Sequence, residues 1–394
     1  MPLGRKLAIV GLVYVIEGFP MGVYANVWPV YFRRHEVSLT EIGWLSGLYI
    51  AWSAKVLWSP LLDRFGERRQ WIAGCLVVMA ACLAGIAFSD VGQLGPLLWL
   101  LFALYCVASA TQDVAIDAYA IGITDRGEEG PINSMKVTAY RAGMLLAGSG
   151  LLLLPRWIGW PGTFATGAAL SLAMARGVFA APRVAVPLES RRGTIAPLRR
   201  WLGRAQAVPA LLFILLYRVG DRAMGPMVAP FWVDRGFGDE EIAAISAAFG
   251  IGATVLGAIV GGGVVARIGI GRSLWALGAL AMGSNLAYAA AAAIPESGRA
   301  GVYAASAVES FCGGLASAAF LSYLMRICEK EHAAVQYALV TAIYALAGSL
   351  IAMPSGWVTE QLGYSGYFGL TALYALPAFV FLPRARAWIG DEGS

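Results

Sequence analysis

Nine charged side chains stand inside stretches that are otherwise apolar: Glu17, Lys55, Asp113, Asp117, Arg141, Arg218, Asp221, Arg222 and Glu309. An ion at the centre of a spanning helix costs about 2.5–3.5 kcal/mol on the insertion scale, so such residues pair with one another or face water and mark routes for ions and polar substrates. Asp113 and Asp117 are four residues apart and share one helix face. Two carboxylates that close hold a proton between them unless a cation compensates. The expected chemistry is proton coupling. Asp113, with Glu17 or Asp117, carries the proton, while Lys55 and Arg141 pair with it and attract anionic parts of a substrate. Further along, Arg218, Asp221 and Arg222 fall at i, i+3 and i+4. An internal Arg218–Asp221 pair would leave Arg222 for Glu309 or for ligand.

The elements that must position these residues are spanning helices. The chain is 59% hydrophobic and 13% charged, whereas a soluble domain carries about 25% charged residues. Apolar runs near 8–31, 40–62, 71–89, 98–122, 134–155, 161–182, 208–231, 239–263, 273–293, 300–325, 334–357 and 365–383 predict twelve helices of membrane-crossing length. With the N-terminus cytoplasmic, 18 of the 29 Lys and Arg residues fall in cytoplasmic tails and loops and five on the opposite side, so the positive-inside bias predicts both termini cytoplasmic. The net charge of +5 is therefore a topology signal, and no nucleic-acid partner is expected. The partners expected are the lipid bilayer, a small-molecule substrate and protons, with the chain acting as a monomer.

The chain repeats with a shift of about 203 residues. Val137-Thr138-Ala139 falls on Val340-Thr341-Ala342, and Thr40-Glu41-Ile42 meets Glu240-Glu241-Ile242 after a three-residue gap. Paired six-helix halves give this pattern. The expected fold is all-α integral membrane, divided into a six-helix bundle over 1–183, a Pro- and Arg-rich cytoplasmic linker over 184–206 and a second bundle over 207–394. Gly18-x-x-x-Gly22, Gly43-x-x-x-Gly47 and Gly257-x-x-x-Gly261 predict close helix packing.

This architecture resembles the major facilitator superfamily. Asp63, Arg64, Gly66, Arg68 and Arg69 match the Gly-x-x-x-Asp-Arg-x-Gly-Arg-Arg signature of its loop after the second helix, with Ser59 in place of the leading glycine and Glu67 as an extra residue. The resemblance implies that this loop gates the cytoplasmic side. Lys55-Val56-Leu57-Trp58-Ser59-Pro60, Gln112-Asp113 with Asp117-Ala118, and Glu17-Gly18-Phe19-Pro20 look like segments of the peptide/acetyl-CoA transporter branch. That branch includes AmpG-like muropeptide permeases and RhtX/FptX-like siderophore transporters. What it implies is a secondary active, proton-coupled symporter, importing a polar or amphiphilic, partly anionic molecule by alternating access. A drug or metabolite exporter and a non-transporting receptor are the alternatives.

An enzyme is not expected. The chain has no H-E-x-x-H, G-x-S-x-G or P-loop, and its histidines, His35 and His332, lie in loops on opposite sides. No cofactor and no metal site is expected, and the five cysteines read as core residues. Four lysines against 25 arginines, with abundant Ala and Gly, suggest a GC-rich bacterial gene and hence a bacterial cytoplasmic (inner) membrane.

Overall fold

The computed structural model describes residues 1–59, 62, 67–89, 95–125, 128–183, 203–327 and 333–389. The gating-loop residues Asp63, Arg64 and Gly66, most of the linker, and His332 lie outside them. The described residues are mostly helical across the expected spans, with turns at Trp58, Tyr217, Arg218, Met353, Pro354 and Ala375 among the exceptions. In chain order the helices are α1 (Leu3–Gly22), α2 (Trp28–Arg34), α3 (Leu39–Ser46), α4 (Ile50–Ala54), α5 (Arg68–Ala87), α6 (Pro96–Ile123), α7 (Glu129–Leu152), α8 (Pro155–Val178), α9 (Ala207–Leu216), α10 (Val219–Asp234), α11 (Asp239–Ile245), α12 (Thr254–Ile268), α13 (Ile270–Ala293), α14 (Gly298–Ile327), α15 (Ala333–Ala352), α16 (Ser355–Tyr374) and α17 (Leu376–Ala385). Seven segments among the described residues are long and apolar enough to cross a membrane unaided by any other consideration. The other expected spans carry charge, broken helix or undescribed residues.

Several spans are not continuous α-helix. A π-helical turn, Val23–Val27, joins α1 to α2. The second span breaks into 3₁₀ turns at Gly47–Tyr49 and Lys55–Leu57 on either side of α4, and the eighth carries a π-helical stretch, Ser246–Ala253. Such interruptions re-aim side chains and recur at functional positions. Among them, the one at Lys55 bears directly on the charged residues.

The backbone carries the internal repeat. The turn before α3 has Glu36 at φ 60, and the turn before α11 has Gly236 at φ 76. The amide of Ser38 donates to Glu41 Oε2 at 3.3 Å, and the amide of Gly238 donates to Glu241 Oε2 at 3.1 Å. A second pair, Gly159 and Gly363, shares φ 68 and interrupts α8 and α16. A left-handed φ is open to glycine without the Cβ clash that other residues meet.

Two compact units result, one of Met1–Val37, Leu48–Ser190 and Val233–Ser246, the other of Ser38–Gly47, Arg191–Trp232 and Ala247–Ser394. In the first, α1 lies along α7 and α5 packs on α6 and α8. A Cβ on Gly18 would fall on the Tyr140 carbonyl, and one on Gly22 on Met144 and Ala147, so this small-residue stripe is a close helix seam. Segment 233–246 is held in this unit by ion pairs: Arg33 grips Asp234 with two nitrogens, at 2.5 and 2.7 Å, Arg34 meets Asp239 at 2.9 Å and Arg156 meets Glu240 at 2.7 Å.

In the second unit α13 packs on α14 and α16, and α12 on α14. Gly257 and Gly261 press on the backbone carbonyls of Phe311 and Leu315. Here α3 packs on α16, with Gly43 against the backbone of Met353 and Gly356. Glu360 accepts hydrogen bonds from the Thr40 amide at 3.0 Å and the Thr40 hydroxyl at 2.6 Å, placing a carboxylate at the positive end of α3. All three glycine stripes are packing seams, as their spacing predicts.

Candidate functional site

In the first unit α6 presents Asp113 and Asp117 one turn apart. The 3₁₀ turn that follows α4 delivers Lys55, whose Nζ lies 3.4 Å from Asp113 Oδ2. The Trp52 side chain bears on the same carboxylate, and the Trp58 indole donates to Thr111 Oγ1 at 3.0 Å, pinning this broken span to α6. One turn further along α6, Asp117 Oδ1 accepts from the Tyr14 hydroxyl on α1 and from Lys136 Nζ on α7 at 3.2 Å. Lys136 also lies over the Tyr14 ring, 4.9 Å from its centroid.

Glu17 stands three residues beyond Tyr14 on α1 and is 9% exposed. Asp113, Asp117, Lys55 and Lys136 are the charged groups that act on it, and its Oε2 has no hydrogen-bond partner. Both side-chain polar atoms of the fully buried Gln112 and the hydroxyl of Ser109 are likewise unpartnered. Buried polar atoms are normally satisfied, so this concentration of open hydrogen-bonding capacity beside the Lys55–Asp113 pair distinguishes the region from ordinary core. The arrangement can hold a proton among three carboxylates and two ammonium groups, and it can offer polar contacts to a ligand.

The second unit has its own charged group. Arg218 donates from Nε and a terminal nitrogen to Asp221 Oδ2, at 2.9 and 2.6 Å. It also donates to the Gly313 carbonyl at 3.0 Å and to Ser317 Oγ on α14. Arg222 donates to the Tyr344 hydroxyl at 3.1 Å and stacks 4.8 Å from that ring's centroid. Glu309 accepts from the Ser310 hydroxyl at 3.2 Å. A Cβ on Gly313 would lie within 4 Å of both Arg218 and Glu309 side chains, so the two are near neighbours.

The structure thus joins most of the residues singled out by sequence, with different partners for some. Lys55 pairs with Asp113 as expected. Arg141 makes no hydrogen bond or ion pair to Asp113. Arg222 meets Tyr344. Arg68 is 5% exposed and donates to the Leu62 carbonyl at 2.5 Å, while Arg69 bonds Glu67 and the carbonyls of Phe179 and Ala181. Sequence reasoning missed Tyr14, Lys136, Ser317 and Tyr344. One signal was available for Lys136: it is one of only four lysines in a chain that otherwise uses arginine.

A protein-family model described as Major Facilitator Superfamily matches residues 10–352. The chain is 30% identical over 394 residues to the anhydromuropeptide permease of Escherichia coli strain K12, covering 97% of this chain and 80% of that protein. It is 26% identical to putative transporter AmpG 4 of Rickettsia conorii, covering 93% of each. Among solved structures, a bacterial homologue of the human lysosomal transporter Spinster, inward-facing and unoccupied, superposes with TM-score 0.76 at 15% identity, covering 100% of this chain and 98% of that one. The nucleoside transporter NupG gives TM-score 0.70 at 14% identity over the full length of both.

Proposed function

We propose that this chain, which belongs to the major facilitator superfamily, is a proton-coupled importer of a muropeptide-like molecule across a bacterial inner membrane. It works as a monomer by alternating access, with both termini cytoplasmic. The substrate class is suggested by the permease relative that shares 30% identity along 97% of the chain. A muropeptide joins sugar to a short peptide, and its carboxylates suit a carrier that keeps Lys55, Arg218 and Arg222 within spanning segments.

The observation that carries proton coupling is the imbalance in the first unit. Glu17, Asp113 and Asp117 face Lys55 and Lys136, three acids to two bases, and one oxygen of Glu17 is unpartnered. Fully ionised, this group would carry a net negative charge, and two of its acids, Glu17 and Asp113, are buried where a low-dielectric interior disfavours it. One proton makes it neutral. Substrate that draws Lys55 away from Asp113 alters that balance, and the two transport states then differ in proton affinity.

Purified protein in proteoliposomes tests the reading. With a labelled muropeptide outside and an imposed gradient, alkaline inside, label accumulates above its external concentration, and unlabelled muropeptide competes while a siderophore or an acyl-CoA does not. Accumulation only under the opposite gradient would identify an exporter, and uptake that merely equilibrates would remove proton coupling.

A further inference from the structure

We infer that Tyr14, Asp117 and Lys136 form a second proton station, through which the proton held beside Lys55 and Asp113 leaves the carrier. The inference rests on the proton-coupled reading above and adds to it a route and two residues with an assigned task.

The register of the helices places the stations. The Tyr14 hydroxyl meets Asp117, which fixes α1 against α6 at that level. Glu17, three residues on, lies about 4.5 Å further along α1, and Asp113, four residues back, lies about 6 Å along α6. Because α1 and α6 belong to odd and even spans and run oppositely, both displacements point the same way. The result is two rungs. One holds Glu17, Asp113 and Lys55; the other, nearer the end of α1 that bears Arg5 and Lys6, holds Tyr14, Asp117 and Lys136.

The rungs differ in access to solvent. The side chains of Asp113 and Lys55 are 11% and 29% exposed, whereas that of Asp117 is 47% exposed and that of Lys136 25%. Of the two carboxylates, Asp117 is therefore the one from which a proton can exchange. Glu17, nine-tenths buried and with Oε2 unpartnered, is acted on by the acids and bases of both rungs, Asp113, Lys55, Asp117 and Lys136, with the phenols of Tyr14 and Tyr140 also close. In the transfer Glu17 gives its proton to the Asp117 carboxylate, and the new Glu17 carboxylate is compensated by Lys55. The group is neutral before and after: two ammonium ions, two carboxylates and one carboxylic acid. Asp117 then releases the proton to water. Tyr14 and Lys136 act as positioning residues. Both bind Asp117 Oδ1, and Lys136 is itself held over the Tyr14 ring, so removing the phenol hydroxyl takes away one of the two contacts that hold the carboxylate while leaving its cation over the ring.

Tyr14→Phe keeps the ring and deletes only the hydroxyl, and Asp117→Asn and Asp117→Glu complete the set. Each is reconstituted and assayed two ways with labelled muropeptide: counterflow exchange, which needs no net proton release, and accumulation driven by an alkaline interior. Expected is counterflow that is reduced less than accumulation in all three. Accumulation is lost in Asp117→Asn, restored in part by Asp117→Glu, and in Tyr14→Phe follows a pH profile that departs from the wild type's. Accumulation with the wild-type pH profile in both Tyr14→Phe and Asp117→Asn would overturn the inference, as would equal loss of counterflow and accumulation, the mark of a purely structural role. Failure of the wild-type protein to respond to the gradient would instead overturn the proton-coupled reading itself.

Discussion

At the scale of single residues, the Lys55–Asp113 pair is the point where charge, burial and broken helix meet. The pair stabilises nothing by default, because desolvating two ions offsets much of their attraction; what is costly is to leave one alone. Lys55→Met is expected to lower stability by about 3–5 kcal/mol, as is Asp113→Asn to a lesser degree, while the double variant recovers most of the loss. Thermal unfolding in detergent across the cycle checks this, and purely additive losses would contradict the pairing. The sequence made Lys55, Asp113 and Glu17 visible because an ion in an apolar run is conspicuous. It gave depth at 1.5 Å per residue, but not the direction in which each side chain leaves its helix. That is why Arg141, which the count of residues sets level with Asp113, has no bond to it. Tyr14 was invisible for a different reason: tyrosine is ordinary in a spanning helix, and only its hydroxyl's partner reveals a role.

At the scale of elements, the spans and glycine seams were legible and the breaks were not. Spacing identified Gly18, Gly22, Gly43, Gly257 and Gly261 as packing positions because small residues four apart form a groove on any helix. The π turn at Val23–Val27 and the 3₁₀ turns around α4 leave no such signature, since their cause is how neighbouring helices compete for the same space. A clasp at the start of α1 was also unforeseen. The Lys6 side chain, 3% exposed, bonds Asp125 and, at 2.6 Å, Glu128 in the connection between α6 and α7. Hydrogen bonding by Lys6 holds both carboxyl groups below their ordinary range. Groups lowered on folding contribute stability that is complete above their unfolded values, near pH 4, and is lost as pH falls through the lower folded values. Lys6→Ala is thus expected to lower the unfolding temperature by a few degrees at pH 7, with the difference from wild type shrinking below about pH 4. A difference that stays constant from pH 7 to pH 3 would contradict the clasp.

At the scale of the whole molecule, the repeat that appears in sequence as scattered identities is carried by backbone conformation: Glu36 and Gly236, then Gly159 and Gly363, adopt left-handed φ at corresponding places. The two compact units each include a short segment from the other sequence half, Ser38–Gly47 in one and Val233–Ser246 in the other. Both exchanges end at a helical break, Gly47–Tyr49 and Ser246–Ala253. The boundaries at 183 and 207 follow composition, and composition cannot report which unit a segment packs against. The charged residues nonetheless sort cleanly. The acid-rich group with its unpartnered Glu17 oxygen lies wholly in the first unit, and the Arg218–Asp221 group with Arg222 and Tyr344 lies wholly in the second. Under the proposed function, that separation would put the coupled proton in the first unit, while substrate carboxylates could meet cations of either unit, Lys55 in the first and Arg218 or Arg222 in the second. The most direct measurement is accumulation of labelled muropeptide in proteoliposomes with an alkaline interior, wild type beside Asp113→Asn. Uphill accumulation by the wild type and exchange without accumulation by the variant are expected; equal accumulation by both would contradict proton coupling through Asp113.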